Sequence, residues 1–493
     1  MSAEFAVPTA VGRSVGAGAL LAAATWLAVA VAHDRHHLGW QDGRLVWSVT
    51  VLAATVFIAR GIFLGRPVTG RHAALAGAAV LGGMALHVLL SPGAGNVVIA
   101  ASGLVLMWPT RSRPQPEALP EIWRLVDATH GDALAPFAMH SLKSYHFSDN
   151  RRAAVAYRTR MGLAVVSGDP IGDEREFGSV VASFVAMCRS RGWRIAVLGC
   201  SERQLGRWDA SVVGRSMRAI PIGRDVVIDV ASFSLAGRAR RNLRQAVQRT
   251  HNAGITTEVV SEQDLDEVQR AELAEVLFTS HRTAQRERGF SMILDGALEG
   301  RHPGMQLIVG RARDGRVQAF ARYATAGGGN DVSLDVSWRA PDAPNGIDER
   351  LSVDMIDWAR SHGARRVSLA FAAFPEIFEN KNRGPVQSLL FWLIHLGDGL
   401  ISLESLYRYL RKYRTLGAQR YAVLSMRQLV PALTVLLTLE FLPRRRRLAL
   451  PHQGRGALRR VGGAAGGTEA DGRFDVPSGV GQSGIPGLHR YGR

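Results

Sequence analysis

The stretch VSLDVSWRAPDAPNGIDERLSVDMIDWARSHG, residues 332–363, changes its hydrophobic period in the middle, and that change decides the fold. Its first part lies in Asp331–Trp338, where β-branched and aromatic residues predict a strand. Asn345-Gly346 is a turn signal. From Glu349 to His362 the apolar residues recur at helical spacing, and Gly363 supplies the stop. Arg366–Ala372 then reads as a buried strand. Strand, helix and strand in succession are the unit of an α/β sheet.

The same alternation extends outward. Met305–Ala312 and Val317–Ala326 read as strands joined at the hairpin signal Asp314-Gly315, and Leu265–Arg286 as a helix. Further upstream, Ala153–Tyr157 and Met161–Ser167 read as paired strands, followed by a turn at Gly168–Gly172. Phe177–Arg191 reads as a helix with Val180, Val181, Phe184, Val185 and Cys188 on one face. Arg194–Gly199 and Asp225–Val230 complete this round as strands. Two such rounds of similar length imply two similar α/β units side by side.

The ends of the chain differ in kind. Ser14–Ala32, Leu45–Leu64, Ala73–Leu90 and Gly95–Trp108 are apolar runs that predict about four transmembrane helices within residues 1–115. With the N-terminus inside, Arg13, Arg60, Arg66, Arg71, Arg111 and Arg113 face the cytoplasm, against Arg35 and Arg44 outside. This bias predicts a multi-pass protein of the cell membrane with a cytoplasmic bulk domain. Leu429–Leu442 is apolar but too short to span, and Arg444–Arg447 follow it. Residues 429–451 therefore read either as an interfacial helix with a polybasic cluster or as a helix packed on the domain. The Gly-rich residues 452–493 read as a disordered tail.

Charge narrows the partners. The 60 Lys+Arg against 42 Asp+Glu give a formal charge of +18, which suits nucleic acid, anionic lipid or both. Cys188 and Cys200 are the only cysteines, too few for a disulfide framework, and no Cys/His cluster suggests metal. No Walker A loop, GxSxG, HExxH or dinucleotide fingerprint is present, which lowers ATPase, hydrolase, metalloprotease and dehydrogenase readings.

Three stretches carry candidate chemistry. Ser232–Gly254 holds six basic side chains, counting His251, and no acid. Within it Arg238, Arg241 and Arg244 recur every third residue, and their forked guanidinium groups suit phosphate. In Val332–Gly363, Asp335 is an acid in an apolar strand, which is costly unless the group is paired or functional; we expect function. Glu349 falls in the first turn of the following helix, where its charge is favoured. Tyr407–Tyr421 interleaves Arg408, Arg411, Lys412, Arg414 and Arg420 with four tyrosines, including Tyr413, a mixture suited to phosphates beside a base or a headgroup.

Together these stretches resemble the catalytic domain of the lysylphosphatidylglycerol synthase, or multiple peptide resistance factor, family. The resemblance runs from about residue 117 to about 428. It includes the GDPIG turn at Gly168–Gly172, FSLAGRARRNLR from Phe233, Gly289–Met292, Ser333-Leu334-Asp335, Pro344-Asn345-Gly346 with Glu349, and Leu406–Arg408 through Lys412-Tyr413. The Arg that the family places three residues after the strand Asp is Trp338 here, and Arg339 follows it.

The resemblance implies tandem GNAT-like acyltransferase domains, at 116–230 and 231–428. It also implies transfer of an amino acid, lysine first, from aminoacyl-tRNA to phosphatidylglycerol. The donor ester is already activated, so neither cofactor nor metal is expected. Asp335 is expected to orient or deprotonate the lipid hydroxyl, and Lys412 and Arg420 to grip phosphate or polarise the carbonyl. Arg238, Arg241, Arg244, Arg339, Glu349 and Tyr413 are expected to bind substrate. The alternatives are a GNAT-like transferase with another lipid or cell-wall acceptor, and a basic membrane protein without catalysis.

Overall fold

Unbroken apolar strands need cover on both faces, whereas amphipathic helices have one face to bury. The computed structural model satisfies both demands with one sheet. It describes residues 70–106, 108–280, 293–373, 409–413 and 415–441, together with Thr25, Thr50, Ala53, Arg286–Glu287 and Arg444–Arg445. The first half contributes β1 (Ser144–Phe147), β2 (Ala153–Arg160), β3 (Leu163–Ser167), the two-residue β4 (Ile171–Gly172) and β5 (Arg194–Ser201). β6 (Arg218–Asp229), β7 (Thr256–Ser261) and the short β8 (Arg286–Glu287) follow. Then come β9 (Met305–Arg311), β10 (Val317–Ala326), β11 (Asp331–Arg339), β12 (Arg366–Ala373), β13 (Gln419–Leu424) and β14 (Arg444–Arg445).

The order β1-β2-β3-β5-β13-β6-β12-β11-β10-β9-β7 shows the duplication and its twist. β3 runs parallel to β5, with α4 (Phe177–Ser190) between them in the chain. β11 runs parallel to β12, with α8 (Ile347–Ser361) between them. In each half one antiparallel strand then flanks the second parallel strand, but the halves exchange it. β13 lies beside β5, and β6 lies beside β12. The two exchanged strands pair with each other, from Gln419↔Arg224 to Leu424↔Arg218. The expected division at residue 230 therefore does not divide the sheet: the boundary falls just after β6, whose partners come from the second half.

Helices cover both faces. α4 buries Phe177, Val180, Val181, Phe184, Val185 and Cys188 against β2, β3 and β5, the face expected from sequence. In the second half α6 (Arg241–Asn252) and α8 cover β6, β10, β11 and β12 with Leu243, Ile347, Leu351, Met355 and Ile356. α3 (Leu119–Asp127) packs Ile122 and Val126 with Ala154, Ala156, Ala324 and Ala326, joining strands from both halves. α7 (Glu267–Thr279) starts at a capping box on Asp266 and ends before the expected Arg286. Cys188 and Cys200 are free and buried.

Gly346 has a positive φ of 100°, and a Cβ there would come within 2.9 Å of the Ala246 carbonyl oxygen. This explains why the turn into α8 needs glycine where α6 crosses it. α5 (Ala210–Val213) is a single turn.

Toward the N-terminus, α1 (Gly70–Leu89) and α2 (Pro92–Leu106) pack closely. Gly95 lies directly against His87, with no room for a Cβ between them. Leu75, Leu81, Met84 and Val88 are exposed on this hairpin. Among the described residues no helix is long and apolar enough to cross a membrane. α1 and α2, which occupy the third and fourth expected spans, are among these helices, while the first two expected spans lie outside the described residues apart from Thr25, Thr50 and Ala53. The tail 452–493 also lies outside them. At the other end α9 (Leu429–Phe441) lays one face on β3, β5 and β13.

Candidate active site

A cavity of about 270 Å³ opens where the ends of β5, β6, β11, β12 and β13 meet. Ser201, Asp225, Asp331, Ser333, Arg366 and Arg420 are among its lining residues. The strand exchange creates it, because β13 brings Arg420 between strands of the first half and β6 brings Asp225 alongside.

Arg420 is buried among acids. Its Nε donates to Asp225 Oδ2 at 2.7 Å and its Nη2 to Asp132 Oδ1 at 2.6 Å. Nη1 lies 3.4 Å from Asp169 Oδ2 and 3.3 Å from the Gly199 carbonyl oxygen. The Ser201 and Leu134 amides donate to Asp169 and Asp132. Three carboxylates thus share one guanidinium, and the acids outnumber it. Burial, reinforced by the Asp132 charge and opposed by Arg420, pushes Asp169 up to about 6. Burial also raises Asp225 against the pull of Arg420. Such a cluster favours a further positive charge or a proton. Arg420, expected to grip phosphate or polarise the carbonyl, has its guanidinium committed to these three acids. Beside it Asp331 accepts from Arg366, at 2.7 Å to Nε, and from the Gly131 amide at 3.0 Å.

Asp335 sits elsewhere. Its Oδ1 accepts from the Leu294 amide at 2.8 Å and its Oδ2 from Arg322 Nη1 at 2.9 Å. Arg322 also holds Glu262, and all three side chains are fully buried. Burial pushes Asp335 up to about 6 while Arg322 pulls it down. Both side-chain oxygens of Asp335 are engaged by protein groups, and the side chain has no exposed surface. Asp335, expected to orient or deprotonate the lipid hydroxyl, is placed as one member of a buried ion triad with Arg322 and Glu262.

The remaining candidates fall on two other surfaces. Lys412 forms an ion pair with Glu349, so those two are brought together; 40% of the Lys412 side chain is exposed against 8% of Glu349. Arg339 lies 3.9 Å from Asp348 at the start of the same helix. Tyr413 is fully buried and donates to Tyr409, which shares a hydroxyl contact with Ser352. Tyr413, expected to contact substrate, thus lies within the core. Lys412 and Arg420, expected to act together, belong to separate ion clusters. Arg238, Arg241, Arg244 and Arg249 are exposed, while Leu243, Ala246 and Thr250 face inward. Arg238 lies in a 3₁₀ turn before α6, and Arg244 donates at 2.6 Å to the Leu235 carbonyl, which ties down the preceding loop. No side chain caps the α6 N-terminus and no acid lies in its first turn, so free amides and arginines converge there.

Sequence reasoning missed Asp132, Asp169 and Asp225 as partners of Arg420, and Arg322 and Glu262 as partners of Asp335. Arg322 was visible in principle, since a charge inside the apolar strand Val317–Ala326 poses the same question as Asp335. Asp132 carries no comparable local signal.

Comparison with known proteins follows this geometry. Residues 123–424 match the family model described as phosphatidylglycerol lysyltransferase, C-terminal, a span that contains every residue lining the cavity. The chain is 60% identical over 444 residues to the MprF-like domain protein Rv1619 of Mycobacterium tuberculosis, covering 90% of this chain and 92% of that protein. It is 32% identical over 320 residues to the lysylphosphatidylglycerol biosynthesis bifunctional protein LysX of Mycobacterium sp. (strain KMS). That match takes in 62% of this chain but spans only 28% of the bifunctional relative.

Two solved structures share the fold. The L-PGS structure from Bacillus licheniformis gives a TM-score of 0.58 at 20% identity, over 67% of this chain and 98% of that one. The C-terminal domain of a putative lysylphosphatidylglycerol synthetase from Agrobacterium fabrum gives 0.56 at 22%, over 66% and 97%.

Proposed function

The chain belongs to the phosphatidylglycerol lysyltransferase family through its C-terminal part, and from that premise we propose that it moves a lysyl group from aminoacyl-tRNA to phosphatidylglycerol at the membrane. The observation that carries this reading is the central cavity, where buried carboxylates outnumber the guanidinium they share. A lysyl ester brings two ammonium groups and no negative charge of its own, which suits the acid-rich Arg420 corner of a cavity that Arg203 and Arg366 also line.

The reaction exchanges one ester for another. A glycerol hydroxyl oxygen bonds to the acyl carbon, the bond to the tRNA ribose oxygen breaks, and the hydroxyl proton ends on that ribose oxygen. Asp225 lines the cavity, and burial raises its basicity against the pull of Arg420, which fits a group that relays this proton. Arg420 holds Asp225, Asp132 and Asp169 in place and acts as a positioning residue. Much of the rate would come from holding two large substrates in register. The exposed arginines at the start of α6 would hold phosphates of the tRNA acceptor end, and Lys412 and Arg339 would meet the lipid phosphate.

The test is a comparison of membrane lipids from cells with and without the chain, separated by thin-layer chromatography and stained for primary amines. An amine-positive phosphatidylglycerol derivative present only with the chain is expected. Identical lipid patterns would contradict the proposal.

A further inference from the structure

A helix on the surface of a folded domain turns charged residues outward. α9 does not. Ala432, Val435, Leu436 and Leu439 are buried against Leu163, Val165, Ala196, Leu198, Ala422 and Leu424 of β3, β5 and β13. The opposite face leaves Val430 75%, Leu433 45% and Leu437 45% exposed, with Met426 at 49% one turn earlier. Pro431 and Thr434 are the other exposed positions among residues 429–439, so no charge interrupts the stripe from Val430 to Leu437; the one acid of the helix in sequence is Glu440, near its C-terminal end. Charge lies at its ends instead: Arg427 is exposed just before the helix, and Arg444–Arg447 follow it.

We propose that the outer stripe of α9 is a docking surface for an anionic bilayer, with Met426, Val430, Leu433 and Leu437 at the headgroup–acyl boundary and the flanking arginines at lipid phosphates. A face that is apolar from Met426 to Leu437 and bracketed by Arg427 and Arg444–Arg447 complements such a surface in both hydrophobicity and charge. The inner face keeps the helix on the sheet while the outer face meets lipid.

The geometry ties docking to the cavity. β13 carries Arg420 and leads through one 3₁₀ turn, Met426–Gln428, into α9. Four residue steps from Arg420 to Leu424, at about 3.3 Å each, amount to roughly 13 Å of strand. A bilayer holding α9 therefore holds the cavity at a fixed distance from the headgroups. The docking surface stands on α9 alone and does not require the transfer reading.

The test uses the full chain reconstituted into phosphatidylglycerol-containing vesicles. A cysteine introduced by Leu433→Cys or Leu437→Cys is labelled with a polarity-sensitive fluorophore; Cys188 and Cys200 have no exposed surface to compete for it. A reference label goes on Val268→Cys, 68% exposed on α7. Lipids bearing a shallow nitroxide serve as quenchers. Labels at 433 and 437 should be blue-shifted and quenched at least threefold more than the label at 268. The quenching should fall when Arg444–Arg447 are replaced by Gln and in vesicles of phosphatidylcholine alone. A water-like spectrum at 433 and 437 would overturn the proposal. So would a blue shift without nitroxide quenching, since the chain itself would then cover the stripe. So would equal quenching in neutral vesicles. None of these outcomes bears on transfer, because the labels report depth rather than turnover.

Discussion

Two buried guanidinium groups, Arg322 and Arg420, each hold more than one carboxylate, and the same physics makes one a scaffold and the other the wall of a cavity. Breaking a buried ion cluster by removing one partner costs about 3–5 kcal/mol. Arg322→Met, which strands Glu262 and Asp335, should lower stability by that amount in urea unfolding. Asp335→Asn should lower the melting temperature while leaving turnover at low temperature within a few-fold of wild type. Loss of all turnover from a folded Asp335→Asn protein would restore it to the reacting groups.

Asp169 makes a pH prediction. Its folded pKa of about 6 is raised above the unfolded value, so its favourable contribution is complete below the unfolded pKa and is lost as pH rises through about 6. Relative to wild type, Asp169→Asn should therefore gain roughly 1–3 kcal/mol between pH 4 and 7, measured by denaturation at each pH. At this scale the sequence showed Asp335 to be out of place but not why. Its partner lies on the neighbouring strand, and strand register is a property of the fold. Arg420 was visible as a basic residue near tyrosines, whereas its three acids come from distant parts of the chain.

At the scale of elements, hydrophobic period located most helices and strands to within a few residues. β2, β5, β10, β11, α4 and α8 lie where the pattern put them. β6 began earlier than expected, at Arg218, because Pro221 and Gly223 do not read as strand. The structure accommodates Pro221 beside a register irregularity in the pairing with β13. The basic segment proved part 3₁₀ turn and part helix, with Arg244 committed to its own loop. Replacing Arg238, Arg241 and Arg249 by Gln should weaken tRNA binding and reduce the salt slope by about one for each phosphate no longer neutralised. Arg244→Ala should chiefly loosen the loop at Leu235. An unchanged salt slope in the triple variant would make the segment an ordinary surface.

On the scale of the whole molecule, the exchange of β6 and β13 is the feature least legible in sequence. The chain shows two rounds of strand and helix, and their natural division falls near residue 230. Nothing local says that the last strand of each round completes the other's sheet. That pairing depends on contacts across about 200 residues, such as Gln419↔Arg224, which no local pattern encodes. The exchange predicts that residues 116–230 expressed alone will fail to fold, because β5 lacks β13 and β6 lacks β12. The intact chain should show one cooperative transition for the sheet, with coincident fluorescence and circular dichroism curves. A folded, protease-resistant 116–230 fragment would contradict this.

The central claim is that the cavity between the exchanged strands joins a charged-tRNA ester to a bilayer lipid. It is tested most directly with the full chain in phosphatidylglycerol vesicles, given aminoacyl-tRNAs radiolabelled in the amino acid. The account predicts that label from lysyl-tRNA passes into the lipid phase with wild-type protein, and at least tenfold more slowly with a folded Asp225→Asn variant. Label that stays on every tRNA of a full aminoacyl panel, with folded wild-type protein and acceptor lipid both present, would contradict it.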